Sequence, residues 1–548
     1  MKKNIQPYIV DVLKDALKKS WPDLIFKEEP ILDLPSDSRF GELSSNIALR
    51  LSKPLKKSPR DIALLLLENV KKELNSKGHP LRDCVKEVKA EGAGFINFYL
   101  ADRYFQEELG DIYLKREISL RQDYGRKKPV LIEFVSANPT GPLSVAHARQ
   151  AVVGDVLANI MLFLGFKVKR EYYLNDEGNQ INILGNSIAL RLKELSGENI
   201  EFPEDHYQGE YIRDIAREIK AKGLESRDLC EYGTRYILNV IKKELADFGV
   251  KFDYWYSQKS LRKSGKIKKV FSFLRKKDFL FEQEGALWFK STIFGDDKDR
   301  VVIKSDGSYT YLAPDIAYHR EKFRRGFRLL INLWGPDHHG YINRLKAAVM
   351  ALGKPAGSLS VIIVQLASIF REGKPVQMST RRGQYITLRE ILDEVGKDAS
   401  RFFFLMRRTS SHLDFDLEVA KKQTAENPVY YTQYAYARIS GILRNCPGKI
   451  DLRRLDLSLL KEKEEIALIK KLWQFSFTLE ICLKTQDPYM LTVYLQELAE
   501  SFHCFYDQHR VLGQEAKLTQ ARVVLLEATK VVLSEGLKLL GISRPEKM

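Results

Sequence analysis

The stretch that most constrains this chain runs from residue 130 to 173. "VLIEFV" (Val130–Val135) is almost continuously apolar, as suits a strand buried on both faces of a parallel sheet. It runs into "SANPTGP" (Ser136–Pro142), where Pro139, Gly141 and Pro142 predict a sharp turn. Beyond the turn, Val152, Val156, Leu157, Ile160 and Leu164 recur at helical spacing, and Gly165 suits the position just past a helix end. "FKVKREYY" (Phe166–Tyr173) predicts another strand. Strand, crossover helix and strand make the unit of a doubly wound α/β sheet. "LLINLW" (Leu329–Trp334) and "SVIIVQL" (Ser360–Leu366) are further strand candidates, each followed by a polar loop containing glycine. Ligands of such sheets bind at the carboxyl ends of the strands, so these loops and the Pro-Thr-Gly-Pro turn should converge on one site.

The flanks differ in character. Residues 1–110 are expected to form a small α/β unit, with helices over Ile5–Leu17 and Ile62–Leu74 and a strand in "GFINFYL" (Gly94–Leu100). "GRKKP" (Gly125–Pro129) is expected to be a linker, and residues 185–285 a polar, helix-rich insertion. From 428 to 548 the apolar spacing is helical throughout, as in Ile466, Ile469, Leu472 and Trp473 or Leu495, Leu498, Phe502 and Phe505, so a helical bundle is expected. The expected boundaries are 1–110, 111–375, 376–427 for a loop and connecting segment, and 428–548.

Composition narrows the function classes. Lys and Arg number 89 against 72 Asp and Glu, a net charge of +17 spread along the chain, which favours a folded surface meeting a polyanion. No apolar run approaches the ~20 residues of a membrane span. The start, "MKKNIQPYIV", lacks the apolar core of a secretion signal, so a cytoplasmic protein is expected. Cys84, Cys230, Cys446, Cys482 and Cys504 are scattered and odd in number, against a disulfide framework or a zinc knuckle.

Certain residues carry chemistry. His147 falls in the first turn of the predicted crossover helix, where free N–H groups and the helix dipole favour phosphate; its imidazole is a candidate donor to a phosphate oxygen. Glu133 lies inside a strand that should be buried and therefore needs a cation, either one of the protein's own or a ligand's. Asp315, in "YLAPDIAYH", has a similarly apolar setting. Two carboxylates at the mouth of the sheet suit a planar guanidinium. "WGPDHHGY" (Trp334–Tyr341) follows a strand; adjacent histidines rarely share one ion, so nucleotide binding is preferred, with Asp337 to a ribose hydroxyl and His338 beside it, and no protein metal site is expected. "REGKPVQMSTRRGQ" (Arg371–Gln384) is a basic loop whose Lys374, Arg381 and Arg382 are within reach of phosphates. Phe502 and Tyr506 either stack on RNA bases or fill the bundle core.

Together these motifs resemble those of the class I arginyl-tRNA synthetases, over nearly the whole chain. "SANPTGPLSVAHAR" stands where that family has its HIGH signature. "REYYLNDEGNQI", "EGALWF", "DGSYTYLAPDIAYH", "GPDHHGYINRLKAA", "SHLDFDL" and "ENPVYYTQYAYARI" are similar to the bacterial members. "FGELSSNIA" resembles the family's N-terminal domain, which contacts the tRNA elbow, and Phe505–Met548 its anticodon-binding helices. The resemblance implies a Rossmann-type parallel-sheet catalytic domain, a small α/β N-terminal domain and an all-α C-terminal bundle, working as a cytoplasmic monomer. It implies L-arginine, ATP with Mg2+, and tRNA-Arg as partners, with tRNA bound before arginine is activated. By motif position, Glu133, Ser136, Asn138, Tyr311, Asp315 and Tyr318 would hold arginine. Asn138, Pro139, Thr140, Gly141, Ala146, His147, Gly335, Asp337, His338 and Met378 would hold ATP. Ser144, His147, Lys374, Ser379 and Arg381 would serve catalysis.

The sequence departs from the family pattern twice. His-Val-Gly-His is here Ser144-Val145-Ala146-His147, and the KMSKS-type loop reads Gln377-Met378-Ser379-Thr380, without either lysine. Lys374, Arg381 or Arg382 is expected to supply the missing charge. The altered signatures leave open a paralogue that keeps the fold without charging tRNA.

Overall fold

Buried strands at the centre of the chain set its architecture. The computed structural model describes residues 5–24, 28–35, 37–224, 228–376, 385–446 and 450–548. It divides into two units: residues 121–438, 476–499 and 533–548 form the larger, and 1–120, 439–475 and 500–532 the smaller.

In the larger unit five strands form one sheet: β1 (Pro129–Glu133), β2 (Lys167–Leu174), β3 (Tyr254–Ser257), β4 (Leu329–Trp334) and β5 (Leu359–Ile363), in the order β5-β4-β1-β2-β3. Every neighbouring pair is parallel. Val130, Leu131 and Ile132 of β1 are buried, which is why that strand has no polar alternation. Strand order reverses between β1 and β4, and this is the place where a doubly wound sheet opens a crevice. Helix α1 (Val145–Phe163) crosses from β1 to β2, buries residues on all sides and stops at Leu164 before Gly165, whose φ is +87°. Gly154 lets α1 approach the sheet: a Cβ there would sit 2.4 Å from the ring of Phe134.

Two buried arginines tie this unit together through carbonyl oxygens. Arg149 donates to the carbonyls of Gln365, Ser411 and Arg408 at 2.8–2.9 Å. Arg401 donates to those of Leu540 and Phe248 and pairs with Asp155.

The structure departs from expectation inside residues 185–285. Helices do fill most of that stretch (Asn179–Leu195, Glu210–Ala221, Leu229–Asp247), but Tyr254–Ser257 is β3, the edge strand of the main sheet. Its aromatic composition suits a strand, yet four residues are too few to show a period. Leu280–Gln283, Ala286–Phe289 and Arg300–Ile303 form a separate antiparallel sheet, whose first turn places Glu284 and Gly285 at φ +52° and +71°.

The smaller unit has an antiparallel sheet of Leu43–Ser45, Phe95–Leu100 and Val85–Glu91, in that order, with the helices Gln6–Ser20 and Pro59–Leu74 packed on each other. Helix Lys463–Trp473 packs on helix Asp102–Lys115, where Trp473 donates its indole N–H to Tyr104 Oη at 3.0 Å. Phe502 is fully buried, so it is core, whereas Tyr506 is 36% exposed.

Candidate active site

The chain leaves β1 through a strained turn. Val135 and Ser136 have φ of +67° and +41°, a region that a β-branched residue rarely enters. The turn swings Ser136 so that its hydroxyl donates to Glu133 Oε1 (3.2 Å) while accepting the N–H of Tyr173 (3.1 Å). Beyond it the prolines and glycine are held from outside. The carbonyls of Thr140, Pro142 and Leu143 accept from Tyr211 Oη, Tyr385 Oη and the Leu388 N–H at 2.9, 3.0 and 2.7 Å. Pro139, Thr140 and Gly141, expected to touch a nucleotide, therefore brace the turn and do not line the cavity described below.

His147 is the third residue of α1, and Ser144 is its N-cap. The Ser144 backbone N–H donates to His147 Nδ1 (3.2 Å), and Ser144 Oγ lies 3.0 Å from the same nitrogen. The imidazole thus takes the place that Glu or Gln has in an ordinary capping box. With Nδ1 accepting, the ring proton belongs on Nε2. Burial pushes the pKa of His147 down to about 4, so at neutral pH it is an uncharged Nε2–H donor. Ser144, expected to act in catalysis, holds the ring and does not line the cavity.

A cavity of about 840 Å³ opens beside His147, at the strand-order reversal. Its wall includes Glu133, Ser136, Asn138, Ala146, Tyr311, Asp315, Tyr318, Gly335, Asp337 and His338, which draws residues expected for both arginine and ATP into one space. Tyr311 is 82% exposed.

The carboxylates at this end of the sheet are unequally served. In the ladder Glu133 stands between Asn332 of β4 and Glu171 of β2. Helix α2 (Leu312–Arg324) supplies the cation for Glu133, the fully buried Lys322, so this carboxylate is paired with the protein's own charge. Lys322 also donates to Asn332 Oδ1 (3.2 Å) and lies 4.2 Å from the centroid of the Tyr318 ring. Glu171 is fully buried and accepts from Arg325 Nη2 (2.8 Å) and Tyr318 Oη (2.6 Å). Tyr318, expected to touch arginine, thus spends its hydroxyl on Glu171. Asp315 is the exception. It accepts Tyr341 Oη at 2.7 Å and has no ion-pair partner among the described residues. Burial pushes its pKa up to about 6; Glu133 adds to the rise, and Tyr341 and Lys322 oppose it. Glu133 and Glu171 carry their own cations and, among the described residues, Asp315 does not.

Several lining residues were not singled out from sequence. Tyr341 and Arg344 belong to "GYINR", at the start of helix α3 (Ile342–Ala351); the Arg344 guanidinium lies 4.8 Å from the Tyr341 ring centroid, with Nε unpaired. Arg300 also lines the cavity, neutralised by Asp296 at 2.8 and 3.0 Å. Asn332 and His319 are buried polar residues in apolar runs, a legible signal. Asp337 is largely exposed, 3.4 Å from His338 Nε2. Lys374, expected to supply charge, is exposed on a two-residue strand and does not line the cavity. Met378, Ser379, Arg381 and Arg382 lie outside the described residues.

Comparison with known proteins decides the family. Residues 111–440 match the catalytic domain of class I tRNA synthetases (R), 5–100 the arginyl tRNA synthetase N terminal domain, and 432–548 the DALR anticodon binding domain. The chain belongs to the arginyl-tRNA synthetases. Within that family it is 46% identical to the arginine–tRNA ligase of Citrifermentans bemidjiense over 531 residues, covering 94% of each chain. It is 42% identical to that of Syntrophotalea carbinolica over 562 residues, covering all of both. The fold is similar to that of Thermus thermophilus arginyl-tRNA synthetase, with a TM-score of 0.80, 21% identity and full coverage of both chains.

Proposed function

We propose that this protein is an arginine–tRNA ligase. The carboxylate of L-arginine attacks the α-phosphate of ATP, giving arginyl-adenylate and pyrophosphate. A ribose hydroxyl at the 3′ end of tRNA-Arg then takes the arginyl group and releases AMP. The observation that carries the reading is Asp315, a carboxylate with no ion-pair partner among the described residues, beside Glu133 in a cavity shared with His147. A guanidinium supplies the cation that Asp315 lacks.

In this reading Asp315 and Glu133 anchor the guanidinium, with Ser136 and Asn138 beside them. His147 donates its Nε2–H to the α-phosphate as charge grows in the transition state. Gly335, Asp337 and His338 hold the nucleoside, against Ala146. Magnesium arrives with ATP and stays largely on its phosphates and water; among the described residues no three acidic, His or Cys side chains gather to hold an ion. Residues 1–110 contact the tRNA elbow and 428–548 the anticodon. The protein acts as a monomer in the cytoplasm; among the described residues no helix is long and apolar enough to cross a membrane.

The test is charging of the cognate tRNA-Arg with radiolabelled arginine by the purified protein, with His147→Ala alongside. Charging that collapses in the variant supports the reading. Tight tRNA-Arg binding without charging would establish instead a tRNA-binding paralogue.

A further inference from the structure

The arginine pocket contains a cation of its own. Lys322 has no solvent exposure, and its ammonium is spent on Glu133, on Asn332 Oδ1 at 3.2 Å and on the face of Tyr318. From Asn332 the bonding continues in one direction. Asn332 Nδ2 donates to His319 Nε2 (3.0 Å), which puts the remaining imidazole proton on Nδ1, where it is donated to the Asp315 carbonyl (2.8 Å). Burial and the Lys322 charge hold the pKa of His319 well below the usual imidazole range, so that link stays neutral. Lys322 therefore answers Glu133 directly and is linked through two neutral side chains to the residue that bears the second carboxylate.

We propose that Lys322 is the resident counter-ion of the arginine pocket: by cancelling Glu133 it leaves Asp315 as the open carboxylate of the pair, so that the two together are set for a single guanidinium. This rests on the reading of Glu133 and Asp315 as the guanidinium anchors. Without Lys322 two neighbouring carboxylates would share the site, and the upward push of Glu133 on the Asp315 pKa would no longer be opposed by that cation. Lys322 is on this account a positioning and specificity residue, with no contact to the reacting atoms.

The consequence is a definite pH behaviour. Asp315 must be ionised to hold arginine, so kcat/KM for arginine falls on the acid side as Asp315 takes up a proton. The groups facing it are Glu133 from β1, Tyr173 from β2, Lys322 on its own helix, Tyr341 from the turn before α3, and Arg344 behind Tyr341. Glu133 raises its pKa and Lys322 lowers it, so removing either moves the limb in a known direction.

The experiment is aminoacylation of tRNA-Arg by the full chain at saturating ATP and tRNA, with kcat/KM for arginine followed from pH 5 to 8. Lys322→Met is expected to move the acid limb up by about one unit, and Glu133→Gln to move it down. The double variant, which removes both charges together, is expected to return the limb close to its wild-type position while KM stays high. A purely structural role for Lys322 would lower the melting temperature and leave the limb in place, and that result overturns the proposal. If Lys322→Met fails to fold, the comparison of Glu133→Gln with the double variant still decides: a limb no higher in the double variant than in Glu133→Gln refutes the role of Lys322. Asp315→Asn separates this inference from the reading beneath it, since an unchanged limb and KM in that variant would mean that Asp315 is not an anchor at all.

Discussion

Replacing His147 tests two roles that the structure gives to one ring. In the first, the Nε2–H is a neutral donor at the cavity wall; in the second, Nδ1 accepts the Ser144 N–H and closes the start of α1. His147→Ala removes both. One lost transition-state hydrogen bond of this kind costs about 2.7–4 kcal/mol, a fall in kcat of roughly 100- to 1,000-fold. The lost hydrogen bond to the Ser144 N–H costs a further ~0.5–1.5 kcal/mol of stability. His147→Gln separates the two. Glutamine is the ordinary partner in a capping box, so it should keep the urea midpoint near wild type, and its amide N–H should restore part of the rate. Because burial holds the pKa of His147 down to about 4, kcat at saturating arginine should show no histidine limb between about pH 5.5 and 8. Steady-state aminoacylation and urea unfolding on the three proteins decide the matter. A His147→Ala enzyme within about threefold of wild type, or an acid limb near the ordinary histidine pKa of about 6.5 that vanishes in the variant, would refute the neutral-donor account.

Other perturbations follow from the same physics. Glu244 is buried with Oε2 unpaired, and burial pushes its pKa up to about 7, against which the Leu143 backbone hydrogen bond works. Its folded pKa lies above the unfolded one, so its contribution is fully present below the unfolded value of about 4.5 and is lost as pH rises through about 7. Glu244→Gln should accordingly raise the melting temperature more at pH 8 than at pH 5, as differential scanning calorimetry would show; equal shifts would rule this out. Gly154→Ala adds a Cβ 2.4–2.7 Å from ring atoms of the fully buried Phe134. The helix-propensity gain of about 1 kcal/mol is outweighed by overpacking, so a net loss of about 1–3 kcal/mol is expected in urea unfolding. Because Phe134 leads into the turn that aims Ser136, KM for arginine should rise with it.

Much of the catalytic core is legible from local pattern. A short, almost continuous apolar run suits a strand covered on both faces, and the helical spacing after the Pro-Gly turn leaves one way to return to the sheet. Glu133 and Asp315 stand out because an acid in an apolar run must be answered by something, and His147 because it opens a helix. What answers each acid was not legible. Lys322 and Arg325 lie 189 and 154 residues from their partners Glu133 and Glu171, and only the packing of α2 against the sheet brings them there. The same packing leaves Asp315 without a cation among the described residues. Ser144 looks in sequence like a missing catalytic imidazole, and only the helix geometry shows it as the cap that orients the imidazole that remains. Spacing along the chain determines which elements form, because periodicity is local. The charge state of the pocket was decided by tertiary structure, because it depends on which buried groups meet across strands.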